Sequence, residues 1–195
     1  MILPLQYDEA SGYCDNIQLM VGSRDHYDCW TELIPSADFV DYYRNADGSE
    51  FKWSAYLTGW DDLTPAQREV FFLRNNLTSN QSAYNDAKSR IGAEVMNKYY
   101  LDSGNEARIK KAYESRDPRL QQTIITPYSS TNCYSPYWNS GEPMQNKVLR
   151  WPYLNRGGNN GDMWHNQRNA GYYIYKKYND CLLYTSPSPR DRQKS

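Results

Sequence analysis

Histidine is nearly missing from this chain of 195 residues, which holds only His26 and His165. That leaves little material for a Ser-His-Asp triad or an imidazole-based metal site. Phenylalanine is scarce, at 4, and the 4 cysteines include no Cys-x-x-Cys pair, so neither a zinc ribbon nor a thioredoxin-like redox motif is encoded. Cys14, Cys29 and Cys133 read as separate thiols or, for Cys14 and Cys29, a pair in an oxidising compartment. No apolar run reaches the roughly 18 residues needed to cross a bilayer as a helix. The net charge is −1. Such a balance gives no electrostatic footprint for nucleic acid or anionic lipid.

Catalytic carboxylates are hard to find as well. A glycoside hydrolase needs an acid on either side of the scissile bond. Asp61 and Asp62 are sequence neighbours, and Glu9, Glu32, Glu50 and Glu142 stand in polar contexts that read as solvated surface. The Asn45-Ala46-Asp47-Gly48 stretch has the turn of a calcium loop, but Tyr43 and Ser54 occupy positions where that loop needs carboxylates. No serine or cysteine sits in a nucleophile-elbow glycine pattern.

What the chain has in quantity is amphipathic aromatics, with 19 tyrosines and 6 tryptophans. A flat apolar face with a hydrogen-bonding edge suits half-wet surfaces that bind sugars, although such residues also fill cores. Trp53, Tyr56 and Trp60 form one group. A second comprises Tyr128, Tyr134, Tyr137, Trp138, Trp151, Tyr153 and Trp164, with Asn155, Arg156, Asn159, Asn160 and Asp162 nearby to bond hydroxyls. The expectation is a neutral glycan held by stacking, with Trp60 and Trp138 the foremost contacts.

The periodicities predict a mainly α chain. A helix opens at Pro35-Ser36 and runs to about Tyr43, with Ser36 as cap and Phe39, Val40 and Tyr43 on one face. Thr64-Pro65-Ala66-Gln67 is a helix start with capping-box chemistry, leading into Val70, Phe71, Leu73 and Leu77. Tyr84, Ala87, Ile91, Val95 and Tyr99 make one stripe of a helix over about 82–100. A shorter helix, Asn105 to Tyr113, ends at Arg116-Asp117-Pro118-Arg119, because proline restricts the residue before it and lacks an amide proton. Arg116 and Arg119 tie that corner down by bonding carboxylates or the last helical carbonyls. A short strand at Thr123 to Thr126, a long irregular stretch from Pro127 to Ala170 and a strand at Gly171 to Tyr178 complete the reading.

The Arg116-Asp117-Pro118-Arg119 corner resembles a segment in the second half of RagB/SusD proteins, the surface nutrient-binding lipoproteins of Gram-negative bacteria. Ile34-Pro35-Ser36-Ala37-Asp38-Phe39-Val40-Asp41-Tyr42-Tyr43, followed by Asp47-Gly48, is similar to that family's proline-led helix and polar turn. Gly171-Tyr172-Tyr173-Ile174-Tyr175-Lys176-Lys177 looks like its Gly-Tyr-Tyr-x-x-Lys strand. The resemblance implies a SusD-like helical fold with long irregular loops and a few short strands. It also implies capture of an oligosaccharide or polysaccharide without catalysis or cofactor, on an outer-membrane lipoprotein that caps a SusC-like TonB-dependent transporter. Its ligand contacts vary between members, so the site residues rest on aromatic clustering: Trp53, Tyr56, Trp60, Tyr137, Trp138, Trp151 and Trp164. The corner residues are expected to be structural.

Cys181 to Asp191, CLLYTSPSPRD, resembles the translation of a transposase sequencing adapter. Residues 181–195 are therefore expected to be an artefactual, disordered tail behind a partial domain over 1–180, with the family's N-terminal repeats and C-terminal end missing. Without the tail, where Arg190, Arg192 and Lys194 face Asp191, the charge falls to about −3. The rival readings are a carbohydrate-active enzyme or accessory module, which should show a carboxylate pair, and a protein-interaction scaffold with aromatic hot spots.

Overall fold

The computed structural model describes residues 21, 33–133, 145–152, 154 and 173–176. Within them helices and tight turns dominate, and the strands are short. Helix α1 (Ala37–Asp41) is capped as its sequence predicts, the Ser36 side chain accepting from the Phe39 amide at 3.1 Å. It buries Val40 completely but leaves Phe39 43% exposed, so the expected shared face is narrower than the sequence pattern.

The Thr64 capping box also closes: Gln67 Oε1 accepts from the Thr64 amide at 3.0 Å, and the Gln67 amide reaches Thr64 Oγ1 at 3.4 Å. The segment it opens, Gln67–Phe72, is 3₁₀ and not α-helical. The reason lies in burial. Val70, Phe71, Phe72 and Leu73 are consecutive and all buried, and a single α-helical stripe cannot turn four successive side chains inward. Further 3₁₀ turns at Trp53–Ala55, Trp60–Asp62 and Leu77–Ser79 carry the aromatic-rich connection around the same core.

The single helix expected over about 82–100 is two helices, α2 (Gln81–Ile91) and α3 (Ala93–Tyr99). Gly92 separates them with φ 101°, a conformation that ends the hydrogen-bond ladder and that side-chain-bearing residues avoid. The apolar period crosses the break, so Ala87, Ile91 and Met96 still bury together in one core.

Helix α4 (Asn105–Glu114) is succeeded at once by α5 (Pro118–Thr123), in which proline takes the first turn and Asp117 the cap. The corner therefore stops one helix and starts another, as the missing amide proton of Pro118 permits at a helix N-terminus. Strand β1 (Ile124–Ile125) pairs antiparallel with β4 (Ile174–Tyr175), Ile124 opposite Tyr175. Within the stretch expected to be irregular, β2 (Ser130–Cys133) pairs antiparallel with β3 (Gln145–Val148), Ser130 opposite Val148. Among the described residues, no helix is long and apolar enough to cross a membrane.

Asn105 organises the centre. It is fully buried, and its Nδ2 lies 3.0, 3.3 and 2.6 Å from the carbonyl oxygens of Val70, Phe71 and Leu73. Those carbonyls belong to the 3₁₀ segment, where α-helical partners are missing, and a buried carbonyl without a donor is costly. Asn75 and Glu106 bond reciprocally beside it, each side chain accepting from the other's amide at 3.2 and 3.0 Å. The N-terminus of α4 is thus capped from a distant part of the chain.

Candidate functional site

The arginine corner and the Asp-Gly turn, far apart in sequence, are one structural contact. Asn45 and Arg116 form an antiparallel bridge, the Ala46 amide donates to Ser115 O at 2.9 Å, and the Asp117 amide donates to Arg44 O at 2.9 Å. Arg116 is 2% exposed. Its Nε and Nη2 reach Tyr43 O at 3.0 and 2.7 Å, Nη2 reaches Val40 O at 2.6 Å, and its guanidinium carbon lies 3.4 Å from the Phe51 ring centroid. This arginine satisfies the C-terminal carbonyls of α1, where a cation also opposes the helix dipole.

Arg119 ties the corner by bonding a carboxylate, one of the two partners expected of it. It bonds Asp117 alongside it, Nε lying 3.0 Å from each carboxylate oxygen, and its side chain is largely in solvent. No buried carboxylate is its partner. The Arg119 side chain, and then its amide, hold the Asp117 carboxyl down at about 2.

Next to Arg116 lies a buried polar chain. Asp41 Oδ2 accepts from Trp53 Nε1 at 2.9 Å, and the hydroxyls of Tyr113 and Tyr173 are 2.7 Å apart. Burial raises the Asp41 carboxyl, opposed by the Trp53 hydrogen bond and the charge of Arg116. Burial likewise pushes both tyrosine hydroxyls up, so they stay protonated as neutral partners.

The first aromatic group is brought together, but against the core. Trp53 is buried at 7% exposure, edge-on to Phe51, Phe72 and Tyr113 and stacked on Trp60 at 4.9 Å. Trp60 is half-buried: besides Trp53 it meets Phe71 at 5.7 Å, and the Arg68 guanidinium carbon lies 4.9 Å over its ring. Tyr56 stacks on Phe51 and its hydroxyl lies 2.5 Å from Ser115 Oγ. The surface-platform expectation for Trp53 is corrected accordingly, because a tryptophan surrounded by other rings offers no open face. Aromatic patterning in a chain short of aliphatics does not distinguish a stacking surface from a core.

Trp151 is half-buried, its Nε1 donating to Glu69 Oε1 at 2.6 Å while its carbonyl accepts from the Arg74 amide at 2.8 Å. Tyr128 is buried at 4%. Tyr134, Tyr137, Trp138, Tyr153, Trp164 and the Asn155 to Asp162 group lie outside the described residues, as does the 181–195 tail.

Concavity appears elsewhere. A cleft of about 240 Å³ opens between α4, α5, β1 and the start of β2, with Tyr113, Ile124, Ile125 and Pro127 contributing apolar groups to its lining. Lys110 and Glu114 on α4, Gln121 on α5, Ser129, Ser130, Thr131 and Lys176 supply its polar groups. The volume lies just under the roughly 300–1,000 Å³ of pockets that enclose drug-sized ligands, so it accommodates a ring-sized unit. A lining that mixes apolar groups with hydroxyl, amide and ammonium groups suits a pyranose, whose faces are C–H and whose edges are hydroxyl. Sequence reading missed this place because its polar groups are ordinary surface types, several of them in the short stretch 124–131, and only packing brings α4, Gln121 and Lys176 to them. The available signal was Lys176, directly after the paired residues Ile174–Tyr175 in the Gly-Tyr-Tyr-x-x-Lys motif.

The SusD family model matches residues 3–195, a span that includes the adapter-like stretch. No curated protein and no solved structure matches. With the match running over nearly all of its length, and with a helix-dominated fold, the chain belongs to the SusD family, whose members bind glycans or other nutrients at the cell surface.

Proposed function

We propose that this chain is part of a non-catalytic glycan-capture protein of the outer membrane, held by a lipid anchor and delivering its ligand to a SusC-like TonB-dependent transporter. The observation that carries the reading is the family match over residues 3–195. The cleft beside α4 and β1 supports it: its lining combines apolar groups with hydroxyl, amide and ammonium groups, the mixture a sugar-binding surface needs. Fold alone does not assign a ligand, so the site must be tested directly.

The test is calorimetry of the full-length protein against a panel of soluble glycans, with native purification of the protein from outer membranes. Saturable binding of at least one glycan without hydrolysis, and co-purification of a TonB-dependent barrel, are the expected results. Release of reducing ends from a bound glycan would replace the reading with the enzyme alternative. Purification without any barrel would remove the transporter from it.

A further inference from the structure

We propose that the cleft between α4 and β1 is a subsite for a sugar bearing a carboxylate, a uronic acid residue of a longer glycan. This rests on the glycan-capture reading and deepens it at the same site.

Lysines from separate parts of the chain border the opening: Lys110 from α4, and Lys176 immediately after β4. Lys176 is half-buried and its Nζ donates to Gln121 O at 3.2 Å. An ammonium carries three donors, so this bond anchors the head group and leaves further N–H groups to point into the cleft. A lysine held in this way has less rotamer freedom to lose when a ligand arrives. Among the described lining residues Glu114 is the single carboxylate, so the lining is cationic by one charge, from Lys110 and Lys176 against Glu114. A neutral sugar needs no such excess. A carboxylate accepts from an ammonium in a charge-assisted bond, roughly twice as strong as a neutral one.

The remaining groups fit the rest of a uronate ring. Ser129 Oγ donates to Thr126 O at 2.6 Å, which leaves its oxygen able to accept from a ring hydroxyl. Pro127 and the isoleucines of β1 add apolar atoms to the lining. The chemistry therefore differs from the neutral stacking expected of the tryptophans, and the ring contacts of Trp53 and Trp60 explain why the binding surface need not lie with them.

The experiment is calorimetry of the full-length protein with galacturonic acid trisaccharide and with its neutral galactose counterpart, at low and high salt, for the parent, Lys176→Gln and Lys110→Gln. The expected result is at least tenfold tighter binding of the acidic trisaccharide at low salt, a preference that shrinks as salt rises. Each substitution should weaken the acidic ligand by about tenfold or more and the neutral one less than about twofold, with the thermal midpoint unchanged as a check on folding. Equal affinity for both trisaccharides, or full acidic-ligand affinity in both variants, would overturn the subsite. Failure of every glycan in the wider panel would instead sink the capture reading itself.

Discussion

Replacing Arg116 by methionine should destabilise the fold far more than the same change at Arg119, although both belong to one motif. Methionine keeps much of the stem volume but removes every donor. The loss includes contacts at 3.0, 2.7 and 2.6 Å to the carbonyls of Tyr43 and Val40. Val40 O retains the Tyr43 amide at 3.2 Å, so the Tyr43 carbonyl is the group deprived of its donor. Charge-assisted bonds contribute about 1.5–3 kcal/mol each, and an orphaned buried acceptor costs about 1–3 kcal/mol, but these overlap and do not add. Asp41 also loses the positive charge that offsets its burial. Breaking one side of such a buried arrangement costs about 3–5 kcal/mol. With a urea m-value of about 2 kcal/mol per molar, the unfolding midpoint should fall by about 1.5–2.5 M. Arg119→Met should lower the midpoint by no more than about 0.5 M, since its pair with Asp117 is a largely solvated one between near neighbours in sequence. Equal shifts for the two variants, or a shift under about 0.5 M for Arg116→Met, would refute the assignment of Arg116 as the clasp of α1.

The same geometry sets the outcome of further substitutions. Asn105→Leu should cost on the order of 2–4 kcal/mol in urea unfolding, because the 3₁₀ carbonyls lose their donor; Asn105→Asp, which presents an acceptor to them, should be no better. Gly59 has φ +85°, and a Cβ there would run into the Tyr99 ring. Gly59→Ala should therefore destabilise, and in a Tyr99→Ala background the added cost should shrink to the backbone penalty of about 1–2 kcal/mol. Asp117 sits at about 2 against an ordinary 3.8. A depressed folded value means its contribution is whole above about pH 4 and is lost as pH falls toward about 2, so Asp117→Asn, which keeps a capping oxygen, should flatten that limb of an acid unfolding series. Asp41 has the opposite sign: burial raises it, so its protonation favours the folded chain and Asp41→Asn should flatten the loss of stability as pH rises through its folded value. Ending the chain at Asp180 should leave the thermal midpoint unchanged, and a clear loss would contradict the adapter origin of the tail.

Much of the secondary structure was legible because its causes are local. Ser36 as a cap and the Thr64 and Gln67 capping box each depend on side chains within a few residues of the backbone they serve, whereas Pro118 read as a helix stop and not as the first turn of α5. The family resemblance was legible for the same reason, since its motifs are contiguous. Tertiary structure decided what proximity between distant segments decides. The apolar run at Val70 to Leu73 can be buried because Asn105 arrives from α4 to satisfy carbonyls that a 3₁₀ segment and its end leave without α-helical partners. Arg116 and Arg119 look equivalent in sequence, and only the docking of the corner on the 44–46 turn buries one and leaves the other in water. Trp53 reads as surface until its packing on Phe51, Phe72 and Tyr113 turns it into core, while Trp60 stacks on it and stays half-buried. The cleft is the extreme case. Most of its lining is the short stretch 124–131, but its lysines reach it from α4 and from the residue after β4, and that convergence is set by packing and not by any spacing along the sequence.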